Sequence, residues 1–307
     1  TAKERANLEN GWFTPEFIDL AVKNIASEFL ERKNLEDLAY NYSLNKQDIQ
    51  PKKIGIVMAG NIPLVGFHDW LCVFISGNIA CVKTSSKDKA LITHIVNKIT
   101  QWDAEEGQRT LFAEMLKGCD AYIATGSNNT SRYFEYYFGK YPHIIRKNRT
   151  SVGVLSGKEN KDDLEKLSDD VFQYFGLGCR NVTKIYVPPA YDFTDLLEAF
   201  KKYHYLSDHH KYKNNYDYNL ALLLLNKAHY LTNGSVLLTE NPSLFSPISQ
   251  LNFEYYSEIE KLREKLEESE EIQCITGNNF LPFGKTQCPS ILDYADQTDT
   301  IKFLTNL

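Results

Sequence analysis

The sequence predicts an α/β protein of two domains, the first built on a parallel sheet wound with helices on both faces. Three observations carry this expectation. At 307 residues the chain is longer than one hydrophobic core ordinarily organises. From residue 54 onward, short apolar runs of strand character alternate with longer helical patterns. The early runs also end in polar or glycine-rich turns, and parallel sheets bind ligands beyond the C-terminal ends of their strands.

The elements follow in order. Residues 14–33 read as an amphipathic helix, and Pro51-Lys52-Lys53 closes the loop after it. Residues 54–58 form the first strand, followed by the turn Ala59-Gly60-Asn61-Ile62-Pro63 and a buried helix over 64–76 that Gly77 ends. Residues 79–83 are a second strand, and Ser85-Ser86-Lys87-Asp88 supplies capping residues for the next helix. A helix is expected over about 105–117, a third strand over 119–124, and a helix over about 130–138 after the turn Thr125-Gly126-Ser127. Residues 143–146 and 151–156 are two further strand candidates. A helix over 161–174 then leads through Phe175-Gly176-Leu177-Gly178-Cys179 into a strand at 183–187. The remainder mixes helices (about 194–203, 217–226, 255–269) with strands (235–239, 247–253, 271–276), which suits a second α/β domain.

Composition removes several function classes. A net charge of −6 argues against nucleic acid or an anionic membrane as partner, because binding phosphate needs concentrated positive charge. No apolar run approaches the roughly 20 residues that span a bilayer. The start, Thr1-Ala2-Lys3-Glu4-Arg5, has no apolar signal region. Six cysteines lie far apart at 72, 81, 119, 179, 274 and 288 without a C-x-x-C pair, so reduced thiols and a cytoplasmic location are expected. His204, His209 and His210 lack a fourth ligand at the usual spacing, and no metal site is expected.

Cys179 is the sharpest chemical candidate. It follows two glycines, precedes a strand and adjoins Arg180, a setting in which a thiol is exposed and its thiolate favoured.

Around it stands a series of motifs that resembles the aldehyde-dehydrogenase superfamily, and within it the fatty acyl-CoA reductase family of the bioluminescence (LuxC-like) type. Asn61-Ile62-Pro63 looks like the superfamily's Asn-Phe-Pro step, whose asparagine helps hold the substrate oxyanion. The strand 79–83 with Ser85 and Ser86 looks like the one ending in the lysine, here Lys83, that contacts the adenosine ribose. Ala124-Thr125-Gly126-Ser127 is similar to the turn beside the cofactor phosphates. Val154-Leu155-Ser156-Gly157-Lys158 looks like the Glu-Leu-Gly-Gly-Lys segment, and Gly178-Cys179 like the nucleophile turn. Leu244-Phe245-Ser246-Pro247 is similar to the segment whose phenylalanine lies by the nicotinamide.

The resemblance implies an aldehyde-dehydrogenase-like fold: N-terminal helices and a Rossmann-type dinucleotide-binding domain over 1–157, an α/β catalytic domain over 158–290, and a segment 291–307 packing back. It implies reduction of an acyl-CoA or acyl-protein thioester to an aldehyde through an acyl group on Cys179. Asn61 and a backbone N–H would hold the oxyanion; Lys83, Ser85, Ser86, Gly126, Ser127 and Phe245 would bind the cofactor. Ser86 replaces the ribose-binding glutamate of NAD-preferring members and, beside Lys83 and Lys87, favours NADPH. Val154 replaces the glutamate that activates water in hydrolytic members, so the thioester is expected to persist. Ser243 replaces a third family glutamate, one that clamps the nicotinamide ribose. A homo-oligomer stays open, although the segment before Ile54 is short for the family's oligomerisation hairpin. So do a cysteine-dependent acyltransferase or thioesterase without cofactor, and a non-catalytic binding protein of the same fold.

Overall fold

Helix-capping chemistry organises the N-terminal residues of the computed structural model, which describes residues 1–44 and 50–307. Thr1 and Glu4 cap each other reciprocally at the start of α1 (Ala2–Glu9). Thr14 caps α2 (Pro15–Glu28), with proline at its first position. The single helix read over 14–33 therefore ends at Glu28, and a separate helix α3 (Arg32–Asn41) follows.

The chain divides into two units, residues 1–148 with 289–307, and residues 149–288. In the first unit come β1 (Lys53–Val57), α4 (Phe67–Ile75), β2 (Ile79–Lys83), α5 (Ala90–Trp102), α6 (Ala104–Gly107), β3 (Thr110–Phe112), β4 (Ala121–Thr125), α7 (Asn128–Phe138) and β5 (His143–Arg146). The five strands form one wholly parallel sheet in the order β3-β2-β1-β4-β5. Strand order reverses at β1, so the ligand-binding crevice of such a sheet falls at the C-terminal ends of β1 and β4. Alternation sets the faces. Ile54, Ile56, Ala80, Val82 and Ile123 pack into one core with Trp70 and Val73 of α4 and Ile92 and Val96 of α5. On the other face Cys81, Cys119 and Tyr122 form a smaller cluster. Gly55 is required there, because a Cβ would lie 2.7 Å from the Tyr122 ring.

The helix expected over 105–117 is absent among the described residues: α6 stops at Gly107 and β3 takes its place. Thr110-Leu111-Phe112 is too short to announce a strand by pattern, yet it extends the sheet by pairing with Ala80–Val82.

The second unit holds β6 (Thr150–Val154), α8 (Lys161–Phe172), a 3-10 turn (Gln173–Gly176), β7 (Val182–Val187), α9 (Thr194–Ala199), α10 (His210–Leu225), β8 (Leu231–Thr232), β9 (Leu237–Glu240), β10 (Gln250–Tyr255), α11 (Ile259–Glu267) and β11 (Ile272–Gly277). Its sheet runs β11-β6-β7-β10-β9-β8, parallel except for the β8–β9 pair. β6, which the sequence reading set in the first domain, pairs with β7 and β11 in this sheet. An apolar strand looks the same in either sheet; only its partners distinguish them.

Residues 289–307 return to the first unit and end in α12 (Thr300–Thr305), whose Ile301 and Leu304 enter its core. A buried ion pair fixes this return. Arg146 binds both Asp69 oxygens (2.7 and 3.2 Å) and also donates to Thr300 Oγ1 (2.8 Å) and the Ala295 carbonyl. Burial alone would raise the Asp69 pKa, but the Arg146 guanidinium outweighs it and holds the carboxyl below its ordinary value.

Candidate active site

Six of the eight candidate residues stand at one edge of the first sheet. Asn61 follows β1 and is exposed; Lys83 ends β2, with Ser85 and Ser86 in the turn beyond it; Gly126 and Ser127 follow β4. β1 lies between β2 and β4, so the topology brings these three loops side by side. Ser127 caps α7, accepting the Thr130 N–H (3.3 Å), which leaves a helix N-terminus facing this edge. A Cβ on Gly126 would meet the Phe134 ring at 2.8 Å, so α7 packs against this turn too closely for any residue but glycine. Lys83, Ser86 and Lys87 are exposed. The one carboxylate of this segment, Asp88, is buried and accepts the Leu64 N–H (2.7 Å) instead of facing the edge. Asp88 therefore does not cap α5, as its sequence position suggested; α5 begins after Lys89 without a side-chain cap. This edge has features a dinucleotide could use: a crevice at the strand-order switch, a helix N-terminus and exposed cations.

Cys179 stands in the second unit, on a tight turn leading into β7. Cys179 and Arg180 are the central residues of a β-turn closed by the Asn181 N–H on the Gly178 carbonyl (3.0 Å). Asn181 is fully buried and ties the turn down. Its Oδ1 accepts the Gly178 N–H (2.8 Å), and its Nδ2 donates to the carbonyls of Asp170, Val171 and Gln173 (3.1, 3.3 and 2.8 Å). Those carbonyls lie in the last turn of α8 and just past its end, where intrahelical donors run out. The chain reverses between α8 and the turn through three successive left-handed residues, Tyr174 (φ 55°), Phe175 (φ 58°) and Gly176 (φ 74°). Only glycine adopts this freely, so the two aromatic residues are held by packing. Tyr174 and Phe175 are buried, and the Phe175 ring meets His209 at 4.6 Å. Ser151, at the start of β6, donates to the Cys179 carbonyl (3.1 Å) and touches Cys274 Sγ (3.0 Å).

The six cysteines are thiols. Cys72, Cys81 and Cys119 are buried, and burial pushes Cys119 up to about 12. Burial likewise pushes the Cys274 thiol up to about 11. Cys179 is half-buried in its turn. Phe245 lies in the loop before β10, and Thr183 of β7 donates to the neighbouring Leu244 carbonyl (2.7 Å). Cys179 and Phe245 thus share the N-terminal edge of adjacent parallel strands β7 and β10.

Val154 does not join them. It ends β6 opposite Tyr186, in an apolar cluster with Val152, Leu262, Leu266 and Ile272. Ser151, which touches the Cys179 backbone, is three residues earlier on the strand, about 10 Å at the strand rise. The likeness of 154–158 to the Glu-Leu-Gly-Gly-Lys segment therefore falls at the opposite edge of the sheet from Cys179, and Val154 is not the position of a water-activating base. Asn181, Ser151 and Asp88 were missed as contributors to the site. Asn181 alone carried a signal: an amide two residues past the candidate nucleophile, directly before a buried strand. Among the described residues no cluster of His, Cys, Asp and Glu could hold a metal, and no helix is long and apolar enough to cross a membrane.

Comparison with known proteins agrees with this architecture. No curated protein sequence matches the chain. Solved structures do. An aldehyde dehydrogenase of Mycobacterium tuberculosis complexed with NAD+ superposes with a TM-score of 0.58 at 13% identity, covering 73% of this chain and 56% of that one. The succinic semialdehyde dehydrogenase of Streptococcus pyogenes in complex with NADP+ gives 0.58 at 14% identity, covering 85% and 72%. Staphylococcus aureus AldH in a substrate-bound state gives 0.54 at 12%, covering 91% and 76%. The chain spans just over half the length of the Mycobacterium enzyme. The model of the acyl-CoA reductase (LuxC) family matches residues 20–199, which hold both the sheet edge around Asn61 and the Cys179 turn. The chain, with its aldehyde-dehydrogenase-like α/β fold, belongs to that family.

Proposed function

We propose that this protein reduces an acyl thioester, acyl-CoA or an acyl-protein, to an aldehyde with NADPH, carrying the acyl group on Cys179. The observation that carries the reading is the Gly178–Asn181 turn, which presents a half-buried thiol between two residues locked to one another. The Cys179 thiolate attacks the acyl carbonyl, and the bond to the donor sulfur breaks, releasing the donor as a thiol. NADPH, when bound, supplies one hydride to the carbonyl carbon of the Cys179 thioester. As the aldehyde C=O forms, the C–S bond breaks and the cysteine is regenerated. Backbone N–H groups beside Cys179 and the Asn61 carboxamide are assigned to the oxyanion. Lys83, Ser85 and Ser86 are assigned to the adenosine ribose, Gly126 and Ser127 to the phosphates, and Phe245 to the nicotinamide. Exposed Lys83, Ser86 and Lys87, with Asp88 turned away, support NADPH over NADH.

The test is intact-mass analysis after incubation with acyl-CoA alone, followed by NADPH addition with aldehyde trapping. Wild type gains one acyl group, which NADPH discharges as aldehyde; Cys179→Ala gains none. An equal adduct on Cys179→Ala would refute the nucleophile. An adduct that passes to thiols but never to aldehyde would favour a cofactor-free acyltransferase.

A further inference from the structure

The loop that carries Asn61 is fastened to the turn that carries Ser85 and Ser86 at two points outside the β1–β2 ladder. Gly60 approaches that turn so closely that a Cβ would lie 2.5 Å from Ser85 Oγ and 3.2 Å from Lys87 Cβ. Four residues later the Leu64 N–H donates to Asp88 Oδ2 at 2.7 Å. Asp88 belongs to the same turn as Ser85: its own N–H bonds the Ser85 carbonyl (3.2 Å), and Ser85 Oγ accepts the Lys87 N–H (3.2 Å). Leu64 sits at φ 58°, a left-handed conformation unfavourable to a leucine, so the bond holds a strained residue in place. Asp88 is 6% exposed, and its Oδ1 has no hydrogen-bond partner. A buried carboxyl group with one oxygen unsatisfied is an expensive way to accept a single backbone hydrogen bond. Such a cost marks a place where geometry outweighs stability.

We propose that Asp88 is a positioning residue: through Leu64 it sets the Asn61 loop against the Ser85–Ser86 turn and holds the Asn61 carboxamide at a fixed place. This rests on the acyl-reductase reading above. Asp88 touches neither substrate nor cofactor and acts through Asn61. Its neighbour Gly60 serves the same alignment by allowing the two loops to touch.

The experiment measures kcat, the KM for acyl-CoA and the NADPH dissociation constant on the whole chain. Asp88→Leu lowers kcat by about 100-fold, the scale of a displacement near 1 Å at a reacting centre. NADPH affinity stays close to wild type, because Ser85 and Ser86 keep their own turn. Asp88→Asn retains an acceptor for Leu64 and recovers most of the rate. Asp88→Leu combined with Asn61→Ala is no slower than Asn61→Ala alone, since the two act in series. Should Asp88→Leu fail to fold, Gly60→Ala perturbs the same contact from the other loop, with the same non-additivity expected. Wild-type kcat in folded Asp88→Leu, an Asp88→Asn variant as slow as Asp88→Leu, or multiplicative losses in the double variant would overturn the proposal. A wild-type chain that acyl-CoA does not acylate at Cys179 would instead overturn the reading beneath it, so the two failures are distinct.

Discussion

Replacing Asp88 by asparagine changes how the stability of the first unit depends on pH, and the direction follows from burial. Desolvation raises the Asp88 pKa from an ordinary 3.8 to about 7, and the Leu64 hydrogen bond offsets only part of that. Below pH 4 the carboxyl is protonated in folded and unfolded chains alike and carries no penalty. Between pH 4 and 7 the unfolded chain releases the proton while the folded one keeps it, so stability falls as pH rises. Roughly three pH units at about 1.4 kcal/mol each make a loss on the order of 4 kcal/mol, complete above pH 7. The carboxamide of the Asp88→Asn variant cannot ionise and still accepts the Leu64 N–H. The variant therefore matches wild type near pH 4 and exceeds it by about that amount at pH 8. Guanidinium titrations between pH 4 and 8, followed by tryptophan fluorescence, measure this directly. All three tryptophans, Trp12, Trp70 and Trp102, belong to the first unit, so the signal reports it selectively. Parallel stability curves for the two proteins, or a less stable variant at pH 8, would refute the argument.

Other substitutions test the remaining parts. Asn181→Ala removes four side-chain hydrogen bonds around the Cys179 turn and destabilises the protein by about 4 kcal/mol at about 1 kcal/mol each; on the proposed mechanism, intact-mass kinetics should show slower Cys179 acylation at temperatures where the variant stays folded. Val154→Glu buries a carboxyl in an apolar cluster and costs about 3–5 kcal/mol at neutral pH, yet leaves the partition between free acid and thioester unchanged; a rise in acid would return Val154 to the site. Ser86→Glu shifts preference from NADPH toward NADH by about 1–3 kcal/mol in cofactor titrations, and equal binding of both cofactors by wild type would remove the premise. Arg146→Met leaves Asp69 buried without its partner and lowers denaturation stability by about 3–5 kcal/mol.

The first sheet was legible because its central strands announce themselves. The runs at 54–58, 79–83 and 119–124 are apolar and each precedes a polar turn, and β1, β2 and β4 lie there. β3 was hidden by its three-residue length, and β8 by its two. The tight turn at Cys179 was legible from the glycines around it. What sequence order could not reveal was which strand candidate belongs to which sheet. Residues 143–146 and 151–156 look alike, but β5 closes the first sheet while β6 lies inside the second, and that alone removes Val154 from the chemistry. Long-range polar links were equally silent. Asp88 carries every local mark of a helix cap, yet its partner is 24 residues away in another loop.

The first unit is assembled from two stretches of sequence separated by the whole of the second. On a ribosome, Asp69 and Arg146 are both made early, but Arg146 meets the Ala295 carbonyl and the Thr300 hydroxyl only after some 150 further residues have emerged. Residues 149–288 are continuous and need no such wait. Synthesis therefore favours an order in which the unit bearing Cys179 matures while its N-terminal neighbour is still incomplete. The late arrival of α12 then seals Ile301 and Leu304 into a core whose other walls are already standing.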